Sequence, residues 1–99
     1  MATKYVGING INYTLIEPAI GKGGEGAVYK IDSVPDCVAK IYVDKERTET
    51  KHRKILTMIN NPLSKHAMDQ IAWPIDALYE NGLFVGFIMP IVSNTEKLN

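Results

Sequence analysis

Cysteine is almost absent from this chain. Cys37 stands alone, so no internal disulfide can form, and a reducing compartment, the cytoplasm, is the expected location. An excess of either charge is also missing, because eleven Lys and Arg offset eleven Asp and Glu. No overall field then argues for nucleic acid, a membrane surface or an acidic polymer as partner. The N-terminus has neither the basic start nor the apolar stretch of a secretory signal. No apolar run reaches the roughly eighteen residues of a membrane span, and the longest, LFVGFIMPIV, is interrupted by Gly86 and Pro90. A soluble protein that engages neither nucleic acid nor membrane is expected. His52 and His66 have no cysteine, histidine or carboxylate at a recognisable ligand spacing, so no metal site is expected either.

What the chain does have is regular patterning within 99 residues, 45% of them hydrophobic, enough for one small domain over 1–99. KYVGINGINYTLIEPAI alternates around Asn9-Gly10, a pair suited to a tight hairpin turn. GAVYKID and DCVAKIYV are rich in β-branched and aromatic residues and flank the turn SVPD, so they should pair as antiparallel neighbours. From Asp44, an expected helix cap, Thr48, His52, Ile55 and Ile59 recur at helical spacing until Asn60-Asn61-Pro62. IAWPIDALY and LFVGFIM flank Asn81-Gly82, a second hairpin signal, and Trp73 is expected to start a strand and pack. The order predicts an α+β domain: an antiparallel sheet of about five strands with one helix packed on a face.

The stretch IGKGGEGAVYKI, residues 20–31, carries the glycine spacing G-x-G-x-x-G. In a dinucleotide-binding βαβ unit that loop opens a helix, but AVYKI continues as a strand. A Walker A loop ends in Gly-Lys-Ser or Gly-Lys-Thr, whereas Ala27 follows Gly26. What remains is a loop between antiparallel strands that folds over phosphates from above, with its amides brought close by Gly21, Gly23 and Gly26. Lys40, on the next strand, is the nearest candidate cation. Val38 shares its face, and Cys37 alternates to the opposite one as a buried, inert thiol. KHRK, Lys51 to Lys54, could suggest a phosphate or RNA patch, but in a neutral chain it is read as the solvated face of the helix.

IGKGGEGAVYKI followed by CVAKIY resembles the first strands of the protein kinase fold, its small N-terminal lobe, of a bacterial serine/threonine type. The resemblance covers nearly the whole chain. It implies that Ile20, Gly21, Gly23, Gly24, Gly26 and Val28 cover nucleotide phosphates, that Val38 lines the adenine ceiling, and that Lys40 pairs with the α- and β-phosphates. GFIMPIVSNTEKLN resembles the fifth kinase strand entering the hinge. Met89 would guard the back of the adenine pocket, Pro90 would offer its carbonyl, and Val92 would donate its N–H to the base. In the complete protein, ATP with Mg²⁺ would bind between two lobes.

The sequence also departs from the family. Val38 and Ala39 sit one place later than in the usual lysine strand, so a valine replaces the small residue above adenine. His52 falls where a kinase has its inward glutamate, which leaves Glu49 as the expected partner of Lys40 and Glu46 as an alternative. No His-Arg-Asp or Asp-Phe-Gly motif is present. The expectation is an ATP-binding small lobe, inactive alone, whose partners are a catalytic larger lobe and a protein substrate of unknown identity. A pseudokinase or regulatory interaction module without phosphotransfer is the alternative, and a free-standing β-domain that binds protein partners is a third. Val28, Val38, Met89, Ile91 and Ile59 would be partly uncovered without a larger lobe, so a homodimer of the chain is expected at high concentration.

Overall fold

Short turns between alternating segments fix the strand order. The computed structural model describes residues 3–62 and 73–91. β1 (Thr3–Val6) and β2 (Asn12–Lys22) are antiparallel, joined through a turn in which Gly10 has a φ of 83°. β2 then pairs with β3 (Gly26–Ile31), and the register shifts between Ile16 and Gly21, where Pro18 has no N–H to give the ladder. β3 and β4 (Val34–Tyr42) meet through Asp32 and Ser33, the latter at φ 67°. That turn is tighter than the SVPD turn read from the sequence, and Val34, Pro35 and Asp36 already belong to the strand. β5 (Asp76–Glu80) and β6 (Leu83–Pro90) are joined by Asn81 and Gly82, both at positive φ, as the dipeptide predicts.

The expected open sheet of about five strands packed on a helix is not what forms. The six strands close into an antiparallel barrel in the order β1-β2-β3-β4-β6-β5. β1 meets β5 at Val6 and Tyr79. A polar clip sits beside that seam: Asp76 accepts the Ile8 amide at 2.9 Å and the Tyr13 hydroxyl at 2.7 Å. The interior is filled by Leu15, Ile31, Ala39, Ile41, Leu78, Val85 and Ile88. Closure satisfies strand edges that an open sheet would leave bare. It also explains why β4 and β6 read as nearly continuous apolar runs, since one of their faces looks into the barrel and the other packs under the helix.

That helix forms a second, outer layer. After a 3-10 turn over Asp44–Glu46, α1 spans Glu49–Asn60 and is capped by Thr48, whose hydroxyl accepts the Lys51 amide at 3.2 Å. The helix therefore begins later than Asp44. Ile55 packs with Tyr42, Ala77, Phe84 and Phe87 on the outer face of the barrel. Trp73 precedes β5 instead of starting a strand, and its indole donates to the Met58 carbonyl at 2.8 Å near the end of α1. Among the described residues no helix is long and apolar enough to cross a membrane.

Candidate phosphate-binding loop and its lysines

β2 leads into the glycine loop and β3 leads out of it, leaving an open concavity of about 380 Å³ lined by residues 21–26, Val28 and Lys40. The glycines of this loop are not alike. A Cβ on Gly26 would strike the Ile41 carbonyl oxygen, so the close approach of β3 to β4 requires a glycine there. Gly21, Gly23 and Gly24 have ordinary φ, and a Cβ on any of them meets nothing within 4 Å. Neither crowding nor backbone conformation within the fold calls for them.

Lys40 projects from the outer face of β4. It lies opposite Val28 on β3 and Phe87 on β6, while Val38 lies opposite Met89. Its ammonium donates to Glu25 Oε1 at 2.8 Å, from the loop itself. Lys51 Nζ, from the first turns of α1, reaches Glu25 Oε2 at 3.0 Å and also contacts the Glu46 carboxylate. Both ammonium groups stand over the Tyr42 ring, at 5.6 Å for Lys40 and 4.7 Å for Lys51. Hydrogen bonds from Lys40 and then Lys51 hold the Glu25 carboxyl down at about 2. Glu46, followed by Glu25, raises the pKa of Lys51. The result is a chain of alternating charges, Lys40, Glu25, Lys51, Glu46, that ties loop, sheet and helix together.

Two relatives match most of this chain. It is 36% identical over 88 residues to protein kinase YegI of Escherichia coli K12, covering 87% of this chain and 13% of that protein. It is 38% identical over 82 residues to protein kinase YegI of Escherichia coli O157:H7, covering 81% and 12% respectively. No protein-family model and no solved structure matches. The chain resembles a protein kinase small lobe. It spans only 12% to 13% of the length of these kinases.

On that resemblance, the glycine loop, Val28, Val38, Lys40 and Met89 belong to one face, and the barrel register puts Val28, Val38, Lys40 and Met89 together on its outside. Val38 is only 7% exposed, while Val28, Met89 and Pro90 are half-buried. Of the apolar residues expected to be uncovered, Val38 is therefore closed, and Ile91 is 49% exposed. Ile20 is exposed at the end of β2, and Val92 lies outside the described residues, as does His66.

The kinase-like helix does not bring Glu49 to Lys40. The Glu49 carboxylate lies 3.4 Å from His52 Nδ1 and 3.7 Å from Arg53 Nε. Glu46 reaches Lys51. His52 turns inward: Nε2 lies 2.7 Å from the Tyr79 hydroxyl, and its ring stacks on Phe84 at 4.7 Å. It serves packing between α1 and the barrel. KHRK is thus divided, with Lys51 in the charge chain, His52 against the barrel, and Arg53 and Lys54 exposed. Cys37 is half-buried against the interior cluster, and burial, assisted by Asp36, pushes its thiol up and away from the reactive thiolate.

Glu25 is the residue of this site that the sequence does not single out, and Lys51 enters it only within KHRK, read there as a solvated helix face. Glu25 could have been found as the one acidic side chain inside the glycine spacing. For Lys51 the basic run KHRK is the signal, but only the seating of α1 selects Lys51 from that run and brings it to the loop.

Proposed function

We propose that this chain is the ATP-binding small lobe of a serine/threonine protein kinase-like protein, with the glycine loop and Lys40 contacting nucleotide phosphates. The observation that carries the reading is the steric freedom of Gly21, Gly23 and Gly24 beside Lys40. Side chains there would harm nothing in the barrel, but they would hold a ligand away from the backbone amides. The similarity to protein kinase YegI supports the same reading.

The residues present fit a polyphosphate: backbone N–H groups from an open loop, one strand lysine, and an apolar flank of Val28, Val38 and Met89 on the same face. Bound ATP would supply the transferable γ-phosphoryl, with Mg²⁺ shielding its charge. This chain's own part is to cover and orient the phosphates. Phosphotransfer also needs metal-holding carboxylates and a catalytic base, which kinases place in the larger lobe. The chain alone is therefore expected to transfer nothing. A pseudokinase reading draws on one specific observation, that Lys40 is neutralised by Glu25 and does not meet Glu49.

Amide-shift titration with ADP and Mg²⁺ tests the binding reading. The largest shifts should fall on residues 20–28 and 38–40, and Lys40→Met should abolish them. Gly24→Ala should weaken binding while leaving the urea midpoint unchanged or slightly raised, whereas Gly26→Ala should cost about 1–3 kcal/mol of stability. Shifts centred on Lys51 to Lys54 with none in the loop would refute it.

A further inference from the structure

Lys40 and Lys51 approach one carboxylate from different elements. Lys40 rises from β4 and Lys51 from α1, yet each ammonium takes its own oxygen of Glu25, at 2.8 Å and 3.0 Å. The aromatic face of Tyr42 lies under both. Two cations spaced to grip two oxygens of one anion form a bidentate oxyanion clamp, with Lys40 at the wall of the glycine-loop concavity and Lys51 lining the adjoining one that shares Glu25. The anion that fills the clamp is the loop's own side chain. Glu25 is 51% exposed and sits between Gly24 and Gly26, so its departure would remove no core contact.

A polyphosphate that reaches Lys40 meets this carboxylate first. Two anions competing for the same ammonium groups repel each other, so phosphate and Glu25 cannot both stay. Glu25 leaves by rotation of its exposed side chain, while its carbonyl still accepts the Val43 amide at 2.8 Å. Glu46 remains on Lys51 and keeps that lysine directed at the site.

We infer that Lys51 is a second phosphate-binding residue beside Lys40, and that Glu25 is an internal anion which occupies the two lysines until a polyphosphate displaces it. The inference rests on the proposed nucleotide reading and adds to it a residue from the helix and a competitor from the loop. The chemistry recognised is a polyphosphate, whether free or carried by a nucleoside.

Calorimetric titration of the full 99-residue chain with tripolyphosphate, and separately with ADP, tests it. Glu25→Gln keeps the shape of the side chain and removes the competing charge, so both probes should bind about twofold to tenfold tighter. Lys51→Gln should bind both at least about threefold more weakly. Lys45→Gln deletes an equal charge from the exposed 3-10 turn and should stay within about twofold of wild type, because solvent and salt screen it. If Lys40→Met abolishes binding while Glu25→Gln and Lys51→Gln leave it unchanged, the nucleotide reading stands and this inference falls. Weaker binding by Glu25→Gln also overturns it, since the carboxylate would then be assisting. If neither probe binds wild type or Glu25→Gln, both readings fall. Should Lys51→Gln melt α1, as circular dichroism would reveal, Lys51→Arg must retain affinity and the Glu25→Gln result decides.

Discussion

Glu25 shows how far a charge can be moved by its neighbours without being buried. Its carboxyl is held at about 2, against an ordinary value of 4.5, chiefly by hydrogen bonds from Lys40 and Lys51. A folded-state pKa below the unfolded one gives a contribution that is complete above pH 4.5 and is lost as the pH falls towards 2. The stability difference between wild type and Glu25→Gln should therefore shrink across that window and be flat above it. Acid unfolding of the pair, with a carbon-13 titration of the Glu25 carboxyl, checks this; a midpoint in the ordinary range would mean that the lysines do not hold it. Lys40 was legible in the sequence because strand alternation and the glycine spacing both point to it. Its partner was not. The resemblance points to Glu49, one turn before His52, but α1 as it forms turns Glu49 to His52 and Arg53 and offers Lys51 to the loop instead.

α1 begins at Glu49 and not at Asp44, and the reason is local. Asp44 followed by Glu46 has the look of a capped, acidic first turn. In the fold those residues make a separate 3-10 turn, held by Arg47, which bonds the Tyr42 carbonyl at 2.8 Å and pairs with Asp44 at 3.0 Å. The helix proper waits for Thr48. Thr48→Ala should then cost about 1 kcal/mol, and Asp44→Ala, which removes only an exposed ion pair, less than about 0.5 kcal/mol. Urea unfolding of the two variants distinguishes the caps, and the reverse order would restore Asp44. The hairpins, by contrast, are readable locally: Asn81-Gly82 turns the chain with both residues at positive φ, whereas the first hairpin uses the longer loop 7–11, in which Gly10 but not Asn9 takes positive φ. Trp73 was readable as a packing residue but not in its place, since its partner, the Met58 carbonyl, is 15 positions away.

At the scale of the whole molecule, the strands are legible in the sequence and their closure is not. Nothing local announces that Ile8 will donate to Asp76, 68 positions on, or that Tyr13 will reach the same carboxylate across 63. Burial, reinforced by that hydrogen bond, pushes the Tyr13 hydroxyl up to about 12. Asp76→Ala removes both bonds of the clip and should cost about 2 kcal/mol, with the Tyr13 titration, followed by ultraviolet absorbance, moving back down. An unchanged titration would mean that Asp76 does not hold the ring. The site itself depends on this architecture only indirectly. β3, β4 and β6 carry Val28, Val38, Lys40 and Met89 on their outer surface whether or not the ring is closed, because that grouping depends only on alternation and register among neighbouring strands.

The narrow meeting of β1 and β5 bears on how this chain behaves in a crowd. A ring of strands has no bare row of N–H and C=O groups for another copy to copy itself onto, so the closed chain is inert as a template. Here that protection hangs on the pairing of Val6 with Tyr79 and on the Asp76 clip beside it. Once the ring springs open, two edges appear together, near Val6 and Ile8, which are 39% and 45% exposed even when it is shut. The same Asp76→Ala chain that has lost its clip should consequently turn thioflavin-positive on standing, at concentrations where the wild-type solution stays clear.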